Sequence, residues 1–83
     1  MMDDLDGALE DYNKTIELNP EYVDAYLNRG CLKRELKDYK GALEDFNKAL
    51  ELNPQFKEAK KGRTLCYFKM KKPFKAIKSF FEK

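Results

Sequence analysis

Residues 23–54 read VDAYLNRGCLKRELKDYKGALEDFNKALELNP, and the second half of this stretch has a near copy earlier in the chain. The earlier copy, GALEDYNKTIELNP at residues 7–20, matches GALEDFNKALELNP at residues 41–54 at 11 of 14 positions. The offset between the copies is 34 residues, which keeps Pro20 in register with Pro54. A fixed period of this length predicts stacked units, each made of two antiparallel helices.

Apolar side chains recur at helical spacing along the whole chain, which predicts an all-α fold. Four helices are expected over residues 3–18, 22–36, 39–52 and 56–70, and a fifth after Pro73, which suits a first helical turn. Asn19–Pro20 and Asn53–Pro54 should end two of them, because Pro lacks an N–H donor and restricts the residue before it. Asp38 is expected to cap the third helix.

Composition limits the classes of function. The chain has 83 residues, 42% hydrophobic and 39% charged, which fits a single helical domain over residues 1–83. It has no apolar run long enough to span a membrane, and its N-terminus, MMDDLDGALED, lacks the basic and apolar pattern of a signal peptide. These features predict a cytoplasmic protein without a membrane partner.

The residues that usually support catalysis or metal binding are scarce. The chain contains no His, which excludes imidazole base catalysis, Ser/His/Asp triads and His-containing zinc sites. Its two cysteines, Cys31 and Cys66, are 35 residues apart and match no CxxC metal or redox motif, so reduced helix residues are expected. The sequence therefore predicts no enzyme activity, no metal and no cofactor.

The middle repeat resembles the tetratricopeptide repeat. That family has a 34-residue unit with an aromatic and a small residue in its first helix, then Ala-x3-Phe and a closing Pro in its second. Tyr26 stands at the aromatic position and Gly30 at the small one, where an interior glycine predicts a close approach of two helices. The second-helix pattern is carried by Ala42, Phe46, Ala49 and Pro54.

The resemblance extends over the whole chain and implies an architecture. Residues 1–22 resemble the second helix of a partial unit, residues 23–56 a complete unit, and residues 57–83 a truncated third unit. The implied fold is a right-handed α-solenoid of antiparallel helical hairpins, with about 2.5 units and five helices. Arg29 and Lys33 depart from the Leu and Tyr that are usual in the family.

Proteins of this family are generally binding modules, whose first helices line a concave groove for a peptide or a partner helix. The resemblance therefore implies a protein–protein interaction module or scaffold. It places in the groove Leu27, Asn28, Cys31, Arg34, Glu35, Glu58, Lys61, Gly62, Leu65, Phe68 and Lys69. The apolar side chains expected to be exposed there are Leu27, Leu65 and Phe68.

The carboxylate clamp of some family members is a further possibility. Asn28 resembles the middle Asn of that clamp, but Glu58 and Gly62 stand where the clamp has basic residues. A complete clamp is therefore not predicted.

Charge is unevenly distributed and leaves two alternatives open. Residues 1–56 carry 7 basic and 13 acidic side chains, whereas residues 57–83 carry 10 basic and 2 acidic ones. The basic part could bind an anionic partner such as nucleic acid, although Lys outnumbers Arg there nine to one, which is unfavourable for bidentate phosphate recognition.

The second alternative is a self-assembling repeat, because opposite charges at the two ends would attract each other between copies. A homo-oligomer would then bury apolar side chains of the terminal helices. These side chains are Leu5, Leu9, Phe74, Ile77, Phe80 and Phe81.

Overall fold

The computed structural model describes residues 5–70, which form four helices and contain no strand. Helix α1 spans Leu5–Leu18, α2 spans Val23–Glu35, α3 spans Tyr39–Leu52 and α4 spans Lys57–Met70. Each helix packs against the next one in sequence, and α2 also touches α4. The described residues thus contain four of the five predicted helices. The predicted fifth helix lies outside the described range, and so do residues 3–4, where the first helix was predicted to begin.

The turn between α2 and α3 is short because its backbone groups satisfy the end of α2. Lys37 adopts the left-handed conformation with φ 68°, and its N–H donates to the carbonyl of Arg34 at 2.9 Å. The N–H of Asp38 donates to the carbonyl of Lys33 at 2.8 Å. This pair of bonds is the Schellman arrangement, in which glycine is usual at the left-handed position. The sharp reversal lays α2 and α3 side by side.

The start of α3 and the end of α1 follow the predicted signals. The Asp38 side chain accepts a hydrogen bond from the N–H of Gly41 at 3.0 Å, which confirms the predicted cap. After α1, the hydroxyl of the buried Tyr26 donates to the carbonyl of Pro20 at 2.8 Å. The aromatic residue of the repeat therefore also holds the turn that precedes its own helix.

Phe46 is the centre of the core, and two glycines make room for its ring. The side chain is fully buried, and a Cβ added at Gly30 of α2 would lie 2.8 Å from its Cε1 atom. A Cβ added at Gly62 of α4 would lie 2.5 Å from its Cζ atom. The close approach predicted at Gly30 is confirmed, and Phe46 joins three helices through contacts on α2 and α4.

Substitution by alanine should change the stability in opposite directions at Gly62, which faces the ring of Phe46, and at Gly7, which faces open space. Gly62→Ala is expected to lower the free energy of unfolding by about 1 to 3 kcal/mol, because the new methyl group overlaps the enclosed ring of Phe46. Gly7 in α1 has no atom within 4 Å of an added Cβ, so Gly7→Ala should raise it by about 0.5 kcal/mol through helix propensity. Urea denaturation of both variants measures the difference. Equal effects of the same sign would contradict this packing.

A buried ion cluster lies beside the apolar core. Asp45 of α3 has a side chain only 4% exposed, and both of its oxygens accept hydrogen bonds from Arg29 of α2, at 2.7 and 2.8 Å. The ammonium of Lys33 lies 3.4 Å from the same carboxylate. Hydrogen bonding to Asp45 raises the pKa of Arg29. The two departures from the family pattern are therefore the partners of one buried acid.

A hydrogen bond recurs with the period of the sequence. The Nη1 atom of Arg29 donates to the Oδ1 atom of Asn13 at 2.8 Å, and the Nη1 atom of Arg63 donates to the Oδ1 atom of Asn47 at 3.1 Å. The two arginines are 34 residues apart in sequence, and so are the two asparagines. The same bond thus joins α2 to α1 and α4 to α3, which are equivalent contacts between successive units.

Candidate interaction surface

Helices α2 and α4 are the first helices of successive units, and they lie in contact. The predicted groove positions form one row of side chains on each helix, because residues three or four apart share a helix face. On α2, Asn28 and Glu35 are exposed, whereas Cys31 and Arg34 are half-buried. Leu27 was expected to be exposed but is half-buried, since it packs against the core cluster around Phe46.

The row on α4 is more open. Leu65 is 42% exposed and Phe68 is 61% exposed, and both are among the large apolar side chains left in solvent. Lys61 and Lys69 lie one turn before and one turn after Leu65, and both are exposed. An aromatic and an aliphatic side chain between two ammonium groups form a surface on which a ligand could bury apolar area.

Gly62 corrects the groove carried over from the resemblance. It was expected among the groove positions, but it is buried and faces Phe46. The physical reason is the helical rotation of about 100° per residue, which turns Gly62 away from the face that carries Lys61. The structure therefore assigns Gly62 to packing between the units.

A shallow depression lies next to the α4 row. Its volume is about 370 Å³, and it is lined by Lys57, Lys60, Lys61, Thr64 and Leu65. It shares Lys61 and Leu65 with the predicted groove. The apolar stems of the lysines can cover a bound side chain while their ammonium groups stay in water.

The charge of these two faces is positive overall. The groove positions of α2 and α4 carry cations at Arg34, Lys61 and Lys69, against anions at Glu35 and Glu58. The exposed surface of α1 is acidic instead. A second depression there, of about 390 Å³, lies on α1 and is lined by Glu10, Asp11, Asn13, Lys14 and Glu17.

The two thiols lie close to Arg34. Burial raises the pKa of Cys31 and also that of Cys66, while the positive charge of Arg34 acts on each in the opposite direction. Cys66 is fully buried and Cys31 is half-buried. A thiol with a raised pKa is mostly protonated at neutral pH, so only a small fraction of either cysteine is in the nucleophilic thiolate form there.

The described residues contain neither a metal-binding cluster nor a membrane-spanning helix. Among residues 5–70, no three side chains of the His, Cys, Asp and Glu types come together in a way that could hold a metal ion. None of the four described helices is both long enough and apolar enough to cross a membrane.

Comparison with protein-family models gave two matches. The model described as tetratricopeptide repeat matches residues 23–56, which include α2 and α3. A model described as TPR repeat matches residues 2–33, which include α1 and most of α2. The chain belongs to the tetratricopeptide repeat family. Comparison with curated proteins gave no match.

Membership of the tetratricopeptide repeat family carries a general role, since these repeats generally mediate protein–protein interactions and do not catalyse reactions. The residues predicted for self-association are only partly within the described range. Leu5 is 36% exposed and Leu9 is half-buried, both on α1. Phe74, Ile77, Phe80 and Phe81 lie outside residues 5–70, so self-association stays a prediction.

Proposed function

We propose that this tetratricopeptide repeat protein is a non-catalytic adaptor that binds a peptide or a helix of another protein on the faces of α2 and α4. The observation that supports this most is the exposure of Leu65 and Phe68 on one face of α4. Large apolar side chains in solvent, with polar neighbours around them, are typical of interaction sites.

The packing of the helices also supports a preformed surface. Phe46 contacts both α2 and α4, so the two helices are held against α3 by the same buried ring. A ligand would then bind to a surface that is already ordered, so less binding free energy would be spent on ordering the protein than at a flexible site. The handedness of the stack, right-handed in the family, would make this face concave.

Electrostatics favours a ligand with acidic residues beside its apolar ones. Arg34 and Lys61 would attract carboxylates during encounter, and Lys69 would do so at the far end of the row. These contacts lie at the rim, where exposed ion pairs contribute little free energy. Affinity should therefore depend mainly on Leu65 and Phe68, whereas the association rate should depend on the cations and on salt.

The experiment begins with a peptide selected from a random displayed library against the purified protein. Binding of the synthetic peptide is then measured by calorimetry for the parent chain and for a variant with both Leu65→Ala and Phe68→Ala. We expect the dissociation constant to rise at least about tenfold, since truncation of apolar anchors at a binding site typically costs more than 1 kcal/mol.

Leu18→Ala is the matched control, because Leu18 is an apolar side chain 80% exposed on α1, away from the proposed surface. It should leave the dissociation constant unchanged. Chemical-shift changes that map to Glu10, Glu17, Glu44 and Glu51 on α1 and α3, or an equal loss in both variants, would show that the surface is misplaced.

The same samples test the nucleic-acid alternative, which the exposed lysines of α4 favour. A single-stranded oligonucleotide serves as the probe. Retention that falls steeply with salt and persists in the variant lacking Leu65 and Phe68 would support that alternative over a peptide ligand.

A further inference from the structure

Cys31 and Cys66 occupy neighbouring positions of the repeat, in two successive units. The repeat period is 34 residues, so the position equivalent to Cys31 in the next unit is Leu65, and Cys66 follows it by one residue. One residue turns a side chain by about 100° around the helix axis. In α4 this rotation takes Cys66 from the exposed face of Leu65 to a fully buried position.

Both cysteines contribute to one core cluster. Cys66 belongs to the buried cluster that contains Tyr26 and Phe46, and Cys31 packs against that cluster from α2. The helices that carry them are in contact. Neighbouring packed helices have their axes about 8 to 10 Å apart, a separation that side chains on facing sides can bridge.

The electrostatic surroundings of the two thiols agree with this packing. Negative charge on Cys31 is one of the causes that raise the pKa of Cys66, after burial. Arg34 acts on both thiols, and Glu35 acts on Cys31. The guanidinium of Arg34, on α2, therefore influences the thiol on its own helix and the thiol on α4.

We propose that Cys31 and Cys66 are a disulfide-forming pair, which hydrogen peroxide converts into a covalent link between α2 and α4. The inference concerns the two helices themselves and does not depend on what they bind. It also differs from the expectation of two inert thiols that their sequence spacing gives.

The reaction balances with peroxide as the oxidant. The half-buried Cys31 is the more accessible thiol, so its thiolate attacks peroxide and forms a sulfenic acid while hydroxide leaves. The thiol of Cys66 then attacks this sulfur, the S–S bond forms, and the sulfenic oxygen leaves as water. In total, two thiols lose two electrons and two protons, and one peroxide is reduced to two waters.

Arg34 should assist the first step. Its charge favours the thiolate of Cys31, which burial disfavours, so Arg34→Gln should slow the oxidation. Because burial raises the pKa of Cys31, the reaction is expected to be slow at neutral pH and to accelerate as the pH rises towards that pKa. The charged groups that act on Cys31 are Arg34 and Glu35.

The test uses the whole chain, treated with a small excess of hydrogen peroxide and compared with a sample kept in dithiothreitol. We expect a monomer that has lost two hydrogen atoms by mass spectrometry and yields a linked peptide pair containing Cys31 and Cys66 after proteolysis. The melting temperature should rise by about 10 °C, because the link closes a long loop in the unfolded chain.

Cys31→Ser and Cys66→Ala are the matched controls, and neither should show a rise in melting temperature on oxidation. The peptide map of the parent chain decides the matter even if Cys66→Ala fails to fold. Two thiols that stay free, oxidation of Cys31 to a sulfinic acid while Cys66 stays free, or a link between two chains would each overturn the proposal.

Discussion

Phe46→Ala is expected to unfold the protein. The substitution removes a fully buried ring that contacts α2 and α4, and Phe→Ala changes in a core cost about 3 to 5 kcal/mol. A core in a domain of this size supplies roughly the same amount. Two glycines line the resulting cavity, and they have no side chains that could move in to fill it. Loss of the helical circular-dichroism signal at 25 °C is the measurement.

Phe68→Ala is the matched control for this prediction. It removes the same side chain from the same kind of element, but Phe68 is 61% exposed. We expect the free energy of unfolding to change by no more than about 0.5 kcal/mol. If Phe46→Ala melts within a few degrees of the parent chain, the alignment of the units around this ring is wrong.

Asp45→Ala should have the second largest effect, a loss of about 3 kcal/mol in the free energy of unfolding. The substitution leaves Arg29 and Lys33 without the carboxylate that binds both of them in a mostly dry position. Their side chains retain 18% and 20% exposure, which limits the loss because water can reach them. Urea denaturation at low and high salt measures it, and the loss should persist in salt because buried pairs are screened weakly.

Glu44→Ala controls for the removal of an acidic residue from the same helix, since Glu44 is exposed. Glu44→Ala should leave the free energy of unfolding nearly unchanged. A double-mutant cycle with Arg29→Ala should give a coupling energy of about 1 to 3 kcal/mol. A coupling near zero would mean that water replaces the ion pair without cost, and the cluster would then be unimportant for stability.

The ends of the helices were predictable because their causes are local. Asn19–Pro20 and Asn53–Pro54 act on the backbone that they belong to, and Asp38 bonds to an N–H three residues away. The repeat offset then identified which helices are equivalent. Neither inference requires knowledge of the distant contacts of a side chain.

The buried ion cluster was not predictable from periodicity. Apolar spacing in α3 identifies the stripe around Phe46, whereas Asp45 counts as a polar residue wherever it lies. Its burial depends on Arg29, which is 16 residues away and on another helix. One signal was present in the sequence, however, because Arg and Asn recur together at the 34-residue offset, as Arg29 with Asn13 and Arg63 with Asn47.

The interaction surface was predictable only in outline. The exposure of Leu65 and Phe68 agrees with the resemblance, but Leu27 is half-buried and Gly62 is buried. A family pattern locates the helix that carries a position, whereas the side chains packed around that position determine its exposure. Since Phe46 occupies the space beside Gly62, that residue is excluded from the surface.

The recurring Arg–Asn hydrogen bond has a consequence for how such a chain could be lengthened. Each bond joins a first helix to the second helix of the preceding unit, and its partners lie at equivalent repeat positions in both junctions that residues 5–70 contain. The complete unit, residues 23–56, carries one partner of each bond, Arg29 and Asn47. A duplicated unit inserted between two others would therefore supply an Arg for the junction with the unit before it and an Asn for the junction with the unit after it. Growth by duplication would need no compensating change at the joints, and each added junction would contribute its own increment of stability.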